Sequence, residues 1–507
     1  MPILFVPNDP EAKNGPPAGH VTPKPARKAG TTDFDMGALP AKKVWPVDSR
    51  EFLAWQCREA ALRTLGMWEG IAGPLAHWQG SAQRRKLKIV VAEGSGINAY
   101  YDRDQLAFYF RKVRGTTRVR WFAASLDIVA HEAGHALLDV LRPELWDSNL
   151  PEPNAFHEAF GDCVALLTAL SDPRARKALL LQDPALTRTN FAETLMESLA
   201  NAIRDEEPTH SAALPRHARN SHRWSLPTTL PEDGGPGDLI NEIHSFGQVF
   251  VGCFYDVIRN IFVDAPRQDS ASLWRAAQVA GRLLVRGATK AALAPRFFQA
   301  VGRAMQLEDD AINGGRHREA IKAAFRKHGI QLSAMAAVTP RSALKGAAPA
   351  TARPGRPPLE RATLQDLRRR MGVSPRAALR MRSYDLGGRP VTEVSYERCV
   401  PLAGLSPRLS GVVAMGTEPT LVGGTNDRAA VFGALPDTQA TQDEVRSFVA
   451  SLVRSGAIGY QGTKKTGKGA GAVAAKGAVT HGVVQMRDQR VLRRLRFSCG
   501  CCRLRRK

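Results

Sequence analysis

Residues 125–140 read SLDIVAHEAGHALLDV, and this stretch decides how the surrounding chain is interpreted. His131 and His135 are four residues apart, so an α-helix places both imidazoles on one face, one turn apart. Such a pair can bind a single zinc ion, and Glu132 lies beside the same cavity. The helix is apolar on almost every side, which predicts that it is buried. Two core histidines held by hydrogen bonds are the alternative, but the adjacent Glu132 favours a metal site.

A second apolar helix is predicted after a proline-containing loop, and it carries two acids, Glu158 and Asp162, four residues apart. On an antiparallel neighbouring helix, Glu158 can supply a third zinc ligand. Asp162, one turn further on, can accept the free ring N–H of a ligating histidine. The alternative is that both acids line a solvated helix face. Their neighbours are mostly Phe, Val and Leu, and burial of unpaired carboxylates is costly, so the metal site is favoured.

The composition indicates a mostly globular protein with a basic C-terminal end. The chain has 507 residues, of which 43% are hydrophobic, and this length suits two or three domains. The net charge is +23, and residues 461–507 contain thirteen Lys/Arg against the single acid Asp488, which leaves +12 in that segment. A basic tail suits nucleic acid, an anionic membrane surface or an acidic protein partner.

The periodicity along the chain predicts an α+β protein. Residues 1–44 contain few large apolar side chains and are predicted to be a disordered arm. Residues 45–335 form one domain, in which a helix and strands at 86–91, 98–101 and 105–110 precede a run of helices. Residues 336–358 are predicted to be a linker, residues 359–460 a small α+β domain, and residues 461–507 a basic low-complexity tail with a β-hairpin around residues 487–490.

Cysteine usage and the N-terminus favour an intracellular location. The four scattered cysteines are predicted to be small buried hydrophobes: Cys57, Cys163, Cys253 and Cys399. Cys499, Cys501 and Cys502 could join His481 at a metal, but their spacing matches no zinc motif, and free or lipidated thiols are as good an interpretation. No signal peptide or membrane-spanning segment is predicted. The expected location is cytoplasmic, with leaderless export left open.

From residue 86 to about residue 260, the chain resembles the thermolysin-like zinc metallopeptidases of the gluzincin type. Four blocks occur in the family's order: a substrate-binding strand at 98–109, the zinc helix at 125–135, the third-ligand block at 158–162 and the block of the catalytic histidine at 242–247. The resemblance implies a two-lobed catalytic domain with an α+β N-terminal lobe and a helical C-terminal lobe. The small C-terminal α+β domain lies outside it.

Carried over residue by residue, the resemblance implies the following roles. His131, His135 and Glu158 hold Zn²⁺, and Asp162 orients His131. Glu132 is the general base that takes a proton from a zinc-activated water, and His244 stabilises the oxyanion. Asn98 and Ala99 bind the backbone of a peptide or protein substrate, which is added to the strand edge. The implied activity is that of a zinc metalloendopeptidase.

The chain departs from the family pattern at several positions. His157 stands before Glu158, where the family usually has Asn, and Trp146 stands where the family has a tyrosine oxyanion donor. The family's substrate-binding arginine has no fixed counterpart, and the candidates are Arg216, Arg219 and Arg223. The acid that orients His244 is either Asp238 or Glu242. Acid-rich calcium loops, a signal peptide and a long propeptide are not evident.

Two other functions remain open from the sequence. One is a non-catalytic binding protein that keeps zinc as a structural element and captures a partner through residues 359–507. The intact Glu132 argues against it, whereas Trp146 and the unassigned arginine argue for it. The other is a nucleic-acid-associated protein led by its basic tail, which is compatible with peptidase activity. The oligomeric state is not predicted.

Overall fold

The computed structural model describes residues 1–80, 84–332, 359, 361–388, 390–423, 430–432, 437–460, 479–486 and 488–500. Helix and sheet are mixed throughout, which confirms the predicted α+β class. The predicted linker, 336–358, lies outside the described residues, as do Cys501 and Cys502.

A five-stranded sheet forms the first part of the molecule and provides the edge on which the candidate site is built. Its strand order is β18-β5-β6-β4-β3. The strands are β3 (Asp33–Asp35), β4 (Lys86–Val90), β5 (Ala99–Tyr101), β6 (Gln105–Phe108) and β18 (Phe497–Ser498). Three two-stranded sheets lie nearby: β1 (Ile3–Phe5) with β2 (Gly19–Val21), β7 (Phe110–Lys112) with β8 (Val119–Trp121), and β9 (Thr194–Leu195) with β10 (Arg216–His217).

Helices are the main regular structure of residues 1–332, and one large apolar core joins them to the five-stranded sheet. They are α1 (Arg50–Ala72), α2 (Leu126–Leu141), α3 (Pro151–Ser171), α4 (Pro173–Gln182), α5 (Glu197–Glu206), α6 (Ile243–Val263), α7 (Ser270–Lys290), α8 (Phe297–Asn313) and α9 (Arg318–Lys327). The predicted metal helix is α2, and the predicted third-ligand helix is α3, which packs directly against it.

The C-terminal region is a seven-stranded sheet covered by two helices. The sheet order is β11-β12-β13-β17-β16-β15, with β14 paired to β13. The elements are α10 (Arg361–Arg370), β11 (Arg380–Asp385), β12 (Pro390–Pro401), β13 (Val412–Gly423), β14 (Ala430–Phe432), α11 (Thr438–Arg454), β15 (Ile458–Gly459), β16 (His481–Met486) and β17 (Gln489–Arg494). The main apolar core of this region includes Leu150, the residue just before α3, and Ile243 of α6 packs against it.

The prediction of a disordered arm at residues 1–44 is wrong, because this segment contributes three strands and several anchors. Phe5 is fully buried and Phe34 almost so. The side chain of Gln56 holds the backbone of Val6 at both its N–H and its carbonyl, at 2.9 and 2.8 Å. β3 pairs in parallel with β4. A few apolar residues and non-local backbone hydrogen bonds are enough to order a segment whose composition is polar.

The boundary predicted at residue 461 is also wrong, although the predicted hairpin is confirmed as β16 and β17. The hairpin is not an appendage, because β17 pairs in parallel with β13 and completes the C-terminal sheet. After it, the chain leaves that sheet, and β18 joins the five-stranded sheet as the antiparallel neighbour of β5. The C-terminal end of the chain therefore connects the two parts of the molecule.

Two further observations concern exposure. Cys399 is exposed, against the prediction that it is buried, whereas Cys57, Cys163 and Cys253 are buried as predicted. Helix α6 is long and apolar enough to cross a membrane by length and composition, but 78% of its apolar window is buried inside the protein. A core helix passes the same test, so this is weak support for a membrane span.

Candidate metal centre and peptide cleft

The three predicted ligands lie together in the core between α2 and α3. Their ligand atoms all lie within 4.8 Å of one another, and the Nε2 atoms of His131 and His135 are 3.3 and 3.7 Å from Oε2 of Glu158. Two atoms that bind one tetrahedral zinc at about 2.0–2.1 Å lie roughly 3.3 Å apart. Neither Nε2 atom nor either Glu158 oxygen makes a hydrogen bond of good geometry among the described residues, although Nε2 of His244 lies 3.1 Å from Oε2 of Glu158. Because orphaned buried polar atoms are costly, this donor set fits a metal ion.

Two glycines allow the helices to approach closely enough to bring these ligands together. A Cβ on Gly134 of α2 would lie 2.8 Å from the Cα of Gly161 on α3. A Cβ on Gly161 would lie 2.6 Å from Nδ1 of His131. The close crossing of α2 and α3 and the position of the His131 ring therefore both require glycine at these positions.

The predicted orienting acid is in place, and it also contacts an arginine. Nδ1 of His131 donates to Oδ1 of Asp162 at 2.7 Å, which leaves Nε2 directed at the ligand cluster. Nη1 of Arg216 donates to the same oxygen at 3.1 Å. Of the three candidate arginines, the structure brings Arg216 to the site. Arg219 instead contacts Thr189, and Arg223 donates to a backbone carbonyl near α9.

His135 is oriented by His157, the residue just before Glu158. Its Nδ1 lies 2.9 Å from Nδ1 of His157. For Nε2 of His135 to ligate a metal, its Nδ1 must carry the proton and donate it to His157. Burial lowers the pKa of both imidazoles well below the usual range, so both are neutral, as this arrangement requires.

Glu132 lies beside the cluster and is suited to proton transfer at neutral pH. The side chain is fully buried, and burial raises the pKa of its carboxyl to about 7. Burial lowers the pKa of His131, but the neighbouring carboxylates of Asp162 and Glu158 outweigh this and raise it to about 9. Burial raises the pKa of Glu158, but the surrounding histidines, His244 first, hold it well below the usual range.

His244 points at the same cluster from the first turn of α6, and the structure identifies its orienting acid. Nδ1 of His244 donates to Oε1 of Glu242 at 2.6 Å, while the other Glu242 oxygen accepts the N–H groups of His244 and Ser245. Glu242 is thus both the N-cap of α6 and the partner of the imidazole. Asp238, the other candidate, accepts from the backbone of Gly235 instead.

A strand from the C-terminal end of this same chain lies along the predicted substrate-binding residues. The backbone N–H of Cys499 donates to the carbonyl of Ala99 at 3.0 Å. Oδ1 of Asn98 accepts from the backbone N–H of Gly500 at 2.7 Å and from the hydroxyl of Ser498 at 2.8 Å. The Ser498 carbonyl accepts from Nε2 of His244 at 2.9 Å. The sequence did not predict this contact, which joins positions about four hundred residues apart.

The strand is anchored by Phe497, whose ring is fully buried among aromatic groups. It stacks on His157 with ring centroids 3.6 Å apart and on His135 at 4.8 Å. Trp146 meets it edge-on at 5.4 Å, and the guanidinium of Arg494 lies 4.0 Å from its centroid. Trp146, the residue at the tyrosine position of the family, therefore packs against the strand through its ring.

Cys499 is the strand residue that contacts the predicted general base, Glu132. Its thiol is fully buried and donates to Oε1 of Glu132 with an S···O distance of 2.7 Å. Cys499, Glu132 and His131 form a second group whose ligand atoms lie within 4.8 Å of one another. Burial raises the pKa of the thiol well above the usual range, and the Glu132 carboxylate adds to this. Nothing in the spacing of the C-terminal cysteines indicated that one of them reaches this base.

A cleft of about 1800 Å³ opens next to the strand. Its wall includes Asn98, Arg216, His244, Cys499 and Gly500, together with residues of α5, of the 227–242 loop and of the end of α11. The candidate site therefore continues into a space large enough for several more residues of an extended peptide.

A second group of buried acids lies apart from this centre, between the N-terminal segment, α2 and α5. Carboxylate oxygens of Asp9, Asp127 and Glu197 lie within 4.8 Å of one another. Burial raises the pKa of each, to about 10 for Glu197. Three buried oxygens of this kind suit a hard cation or shared protons. Sequence reasoning missed the group because Asp9 belongs to the segment predicted to be disordered.

Comparison with the models of known protein families gives no match, and the curated proteins contain no match to this chain.

Proposed function

We propose that this protein is a zinc-dependent endopeptidase with the two-lobed arrangement of the thermolysin-like metallopeptidases. The five-stranded sheet and its neighbours would form one lobe and the helices from α3 to α9 the other. One observation carries the proposal: a peptide strand lies antiparallel on the edge of β5, with its Ser498 carbonyl on His244 and the buried ligand cluster beside it.

The residues around a peptide in this position have complementary tasks. The carbonyl of Ala99 and the side chain of Asn98 accept backbone N–H groups and so fix the register of the substrate. His244 faces Glu242 with one ring nitrogen and the substrate carbonyl with the other, so in its protonated form it donates to the oxygen on which negative charge develops. One such donor is worth about 2.7–4 kcal/mol of transition-state stabilisation.

Glu132 is the proton carrier. A base with a pKa near 7 can take a proton from an attacking water and pass it to the amide nitrogen that leaves. A zinc ion held by His131, His135 and Glu158 would polarise the scissile carbonyl and acidify a water molecule. Strand pairing extends to both sides of the Ser498–Cys499 bond, which favours cleavage within chains over cleavage at their ends.

The test measures metal content and peptide cleavage separately. The full-length protein is expected to contain one zinc per chain and to cut an unbiased peptide library at a rate limited by release of the C-terminal strand from β5. Glu132→Gln is expected to keep the zinc and to lose hydrolysis by about 10²–10⁴-fold, the usual contribution of a general base. Cleavage that survives Glu132→Gln unchanged, or a wild-type protein that holds no zinc at its ligand cluster, would refute the proposal.

A second candidate is a non-catalytic zinc protein whose basic C-terminal region captures a protein or a nucleic acid. The contact of Cys499 with Glu132 favours it, because the strand occupies the place of a substrate. Partner binding with a steep salt dependence, together with no cleavage when the strand is displaced, would select this candidate.

A further inference from the structure

We propose that the C-terminal strand, residues 497–500, is a built-in inhibitor that mimics a substrate, and that Cys499 is the fourth ligand of the metal. This inference rests on the proposed zinc site and concerns how that site is regulated. It assigns to Cys499 a function different from the metal site with His481 and the lipidation that the sequence left open.

The strand occupies the backbone contacts that the proposed function assigns to a substrate. It pairs with β5 in register, Phe497 opposite Tyr101 and Ser498 opposite Tyr100. The N–H groups of the next two residues are bonded to Ala99 and Asn98, and the carbonyl of Ser498 is bonded to His244. A peptide cannot bind in this groove until the strand leaves it.

One peptide bond of the strand faces the ligand cluster. His244 contacts the carbonyl of Ser498, so the Ser498–Cys499 bond lies where a scissile bond would lie. Hydrolysis requires a water molecule between the base and that carbonyl. The Cys499 sulfur instead touches the base, so the thiol stands in the position of the nucleophile. The strand is therefore expected to be held uncut.

The open coordination position suits a cysteine. Two imidazoles and one carboxylate leave one tetrahedral position open, and a thiolate is a strong zinc ligand. The Cys499 sulfur is grouped with His131 and Glu132 rather than with all three ligands, so it would have to move from Glu132 toward the cluster in order to bind. Binding would break the S–H bond and form an S–Zn bond, and the proton would pass to Oε1 of Glu132, which already accepts it at 2.7 Å. No oxidant or reductant is required. The base would be protonated and the open position filled, so both requirements for hydrolysis would be removed together.

The fit of the strand depends on Gly500, which lies outside the proposed machinery. A Cβ on Gly500 would lie 2.4 Å from Oδ1 of Asn98 and 2.6 Å from the carbonyl of Ile97. The Ile97 carbonyl belongs to the backbone, and Asn98 could turn away only by giving up its hydrogen bonds to the strand. A larger residue at position 500 should therefore detach the strand while leaving every ligand and Glu132 intact.

The first experiment reads the ligand without any assay of activity. The full-length protein is loaded with Co²⁺ in place of zinc, and its near-ultraviolet absorption is recorded. The wild type is expected to show a thiolate-to-cobalt charge-transfer band that is absent from Cys499→Ala. Cys399→Ser, which changes an exposed cysteine of the C-terminal sheet, is the matched control and should keep the band.

The second experiment reads inhibition. A linked segment has an effective concentration on the order of millimolar, so a strand with an intrinsic inhibition constant of about 0.1 mM suppresses hydrolysis roughly tenfold. Gly500→Val and Cys499→Ala are each expected to raise peptide hydrolysis by at least that factor, and the added Glu132→Gln should abolish the gain. Two variants are used so that a folding defect in one does not decide the result.

The outcomes separate the two proposals. One bound cobalt without a thiolate band would overturn the role of Cys499 and leave the peptidase proposal standing. A thiolate band in a protein that stays inactive in both variants would refute the peptidase and not the ligand. Intact mass is the final check, because wild-type protein cut between Ser498 and Cys499 would make the strand a substrate and overturn its role as inhibitor.

Discussion

The glycine at the crossing of α2 and α3 offers the sharpest test of how the metal centre is built. In Gly161→Ala, the new Cβ would lie 2.6, 2.8 and 2.9 Å from three atoms of the His131 ring. Ordinary contacts between such atoms are about 3.5–4.0 Å, so the ring or the helix must move by roughly 0.9–1.4 Å to relieve the closest contact. Metal–ligand distances tolerate only about 0.2 Å. The variant is therefore expected to bind zinc more weakly even though all three ligand residues are still present.

The stability change and the affinity change can be separated in magnitude. Alanine favours a helix over glycine by about 0.8–1.0 kcal/mol, whereas overpacking costs about 1–3 kcal/mol. The free energy of unfolding of the metal-free protein should fall by no more than about 2 kcal/mol. Zinc affinity should fall at least about 10–100-fold, the usual effect of disturbing the support of a ligand.

Gly66→Ala is the matched control, because Gly66 lies inside α1, is exposed and has nothing within 4 Å of a new Cβ. It should stabilise the protein by up to about 1 kcal/mol and leave zinc binding unchanged. The assays are competition with a chromophoric chelator and urea unfolding after zinc removal. If folded Gly161→Ala bound zinc as tightly as the wild type, the packing account of the site would be wrong.

Three further predictions concern single side chains. Asp162→Asn is expected to weaken zinc binding about 10–100-fold, measured by chelator competition, because the acceptor of the His131 ring proton loses its charge; unchanged affinity would contradict this. Glu242→Gln, made in a variant whose strand is displaced, is expected to keep the zinc but to lower kcat, because His244 loses the charge of its partner. Steady-state kinetics that give an equal kcat would show that His244 does not need this charge. The pKa of Glu197 is about 10 in the folded protein, which is above its value in the unfolded chain. From about pH 4.5 upward only the unfolded state is therefore ionised, and the free energy of unfolding falls by up to about 1.4 kcal/mol per pH unit. Glu197→Gln should stabilise the protein more at pH 8 than at pH 5 in urea unfolding of the metal-free protein, and equal effects at both pH values would contradict the raised pKa.

Most of the metal centre could be predicted because its geometry is local. A spacing of four residues puts His131 and His135 on one helix face whatever the rest of the fold, and the same holds for Glu158 and Asp162. Burial followed from the apolar neighbours. The prediction of β4 rested on its alternation of polar and apolar residues, and those of β5 and β6 on two apolar runs separated by a polar turn; the structure confirms all three within one or two residues.

The parts that could not be predicted depend on contacts between distant segments. Asp238 and Glu242 are equally good partners for His244 in the sequence, and only the N-cap geometry of α6 decides between them. Arg216 reaches Asp162 because β10 pairs with β9, a two-residue ladder with no periodic signal. Phe497 looked like one apolar residue in a basic tail, and its pocket is assembled from several separate segments.

The packing of the C-terminal sheet bears on how the strand could leave the cleft. Leu150, next to the first turn of α3, lies in the core of that sheet, and Ile243 at the start of α6 contacts it. These two helices carry Glu158 and His244. A movement of the whole C-terminal region would therefore displace residues of the metal centre as well as the inhibitory strand. Only a few residues separate β17 from β18, and β18 pairs with one partner over two positions. Local detachment of residues 495–500 breaks this short pairing and the backbone bonds of Leu495 and Arg496 to Thr480, but none of the β13–β17 or β16–β17 pairs. Release should therefore change the protection of the Cys499 and Gly500 amides in hydrogen exchange while leaving α3, α6 and β17 protected, and joint loss of protection in α3 and β17 would show that the C-terminal region moves as a unit.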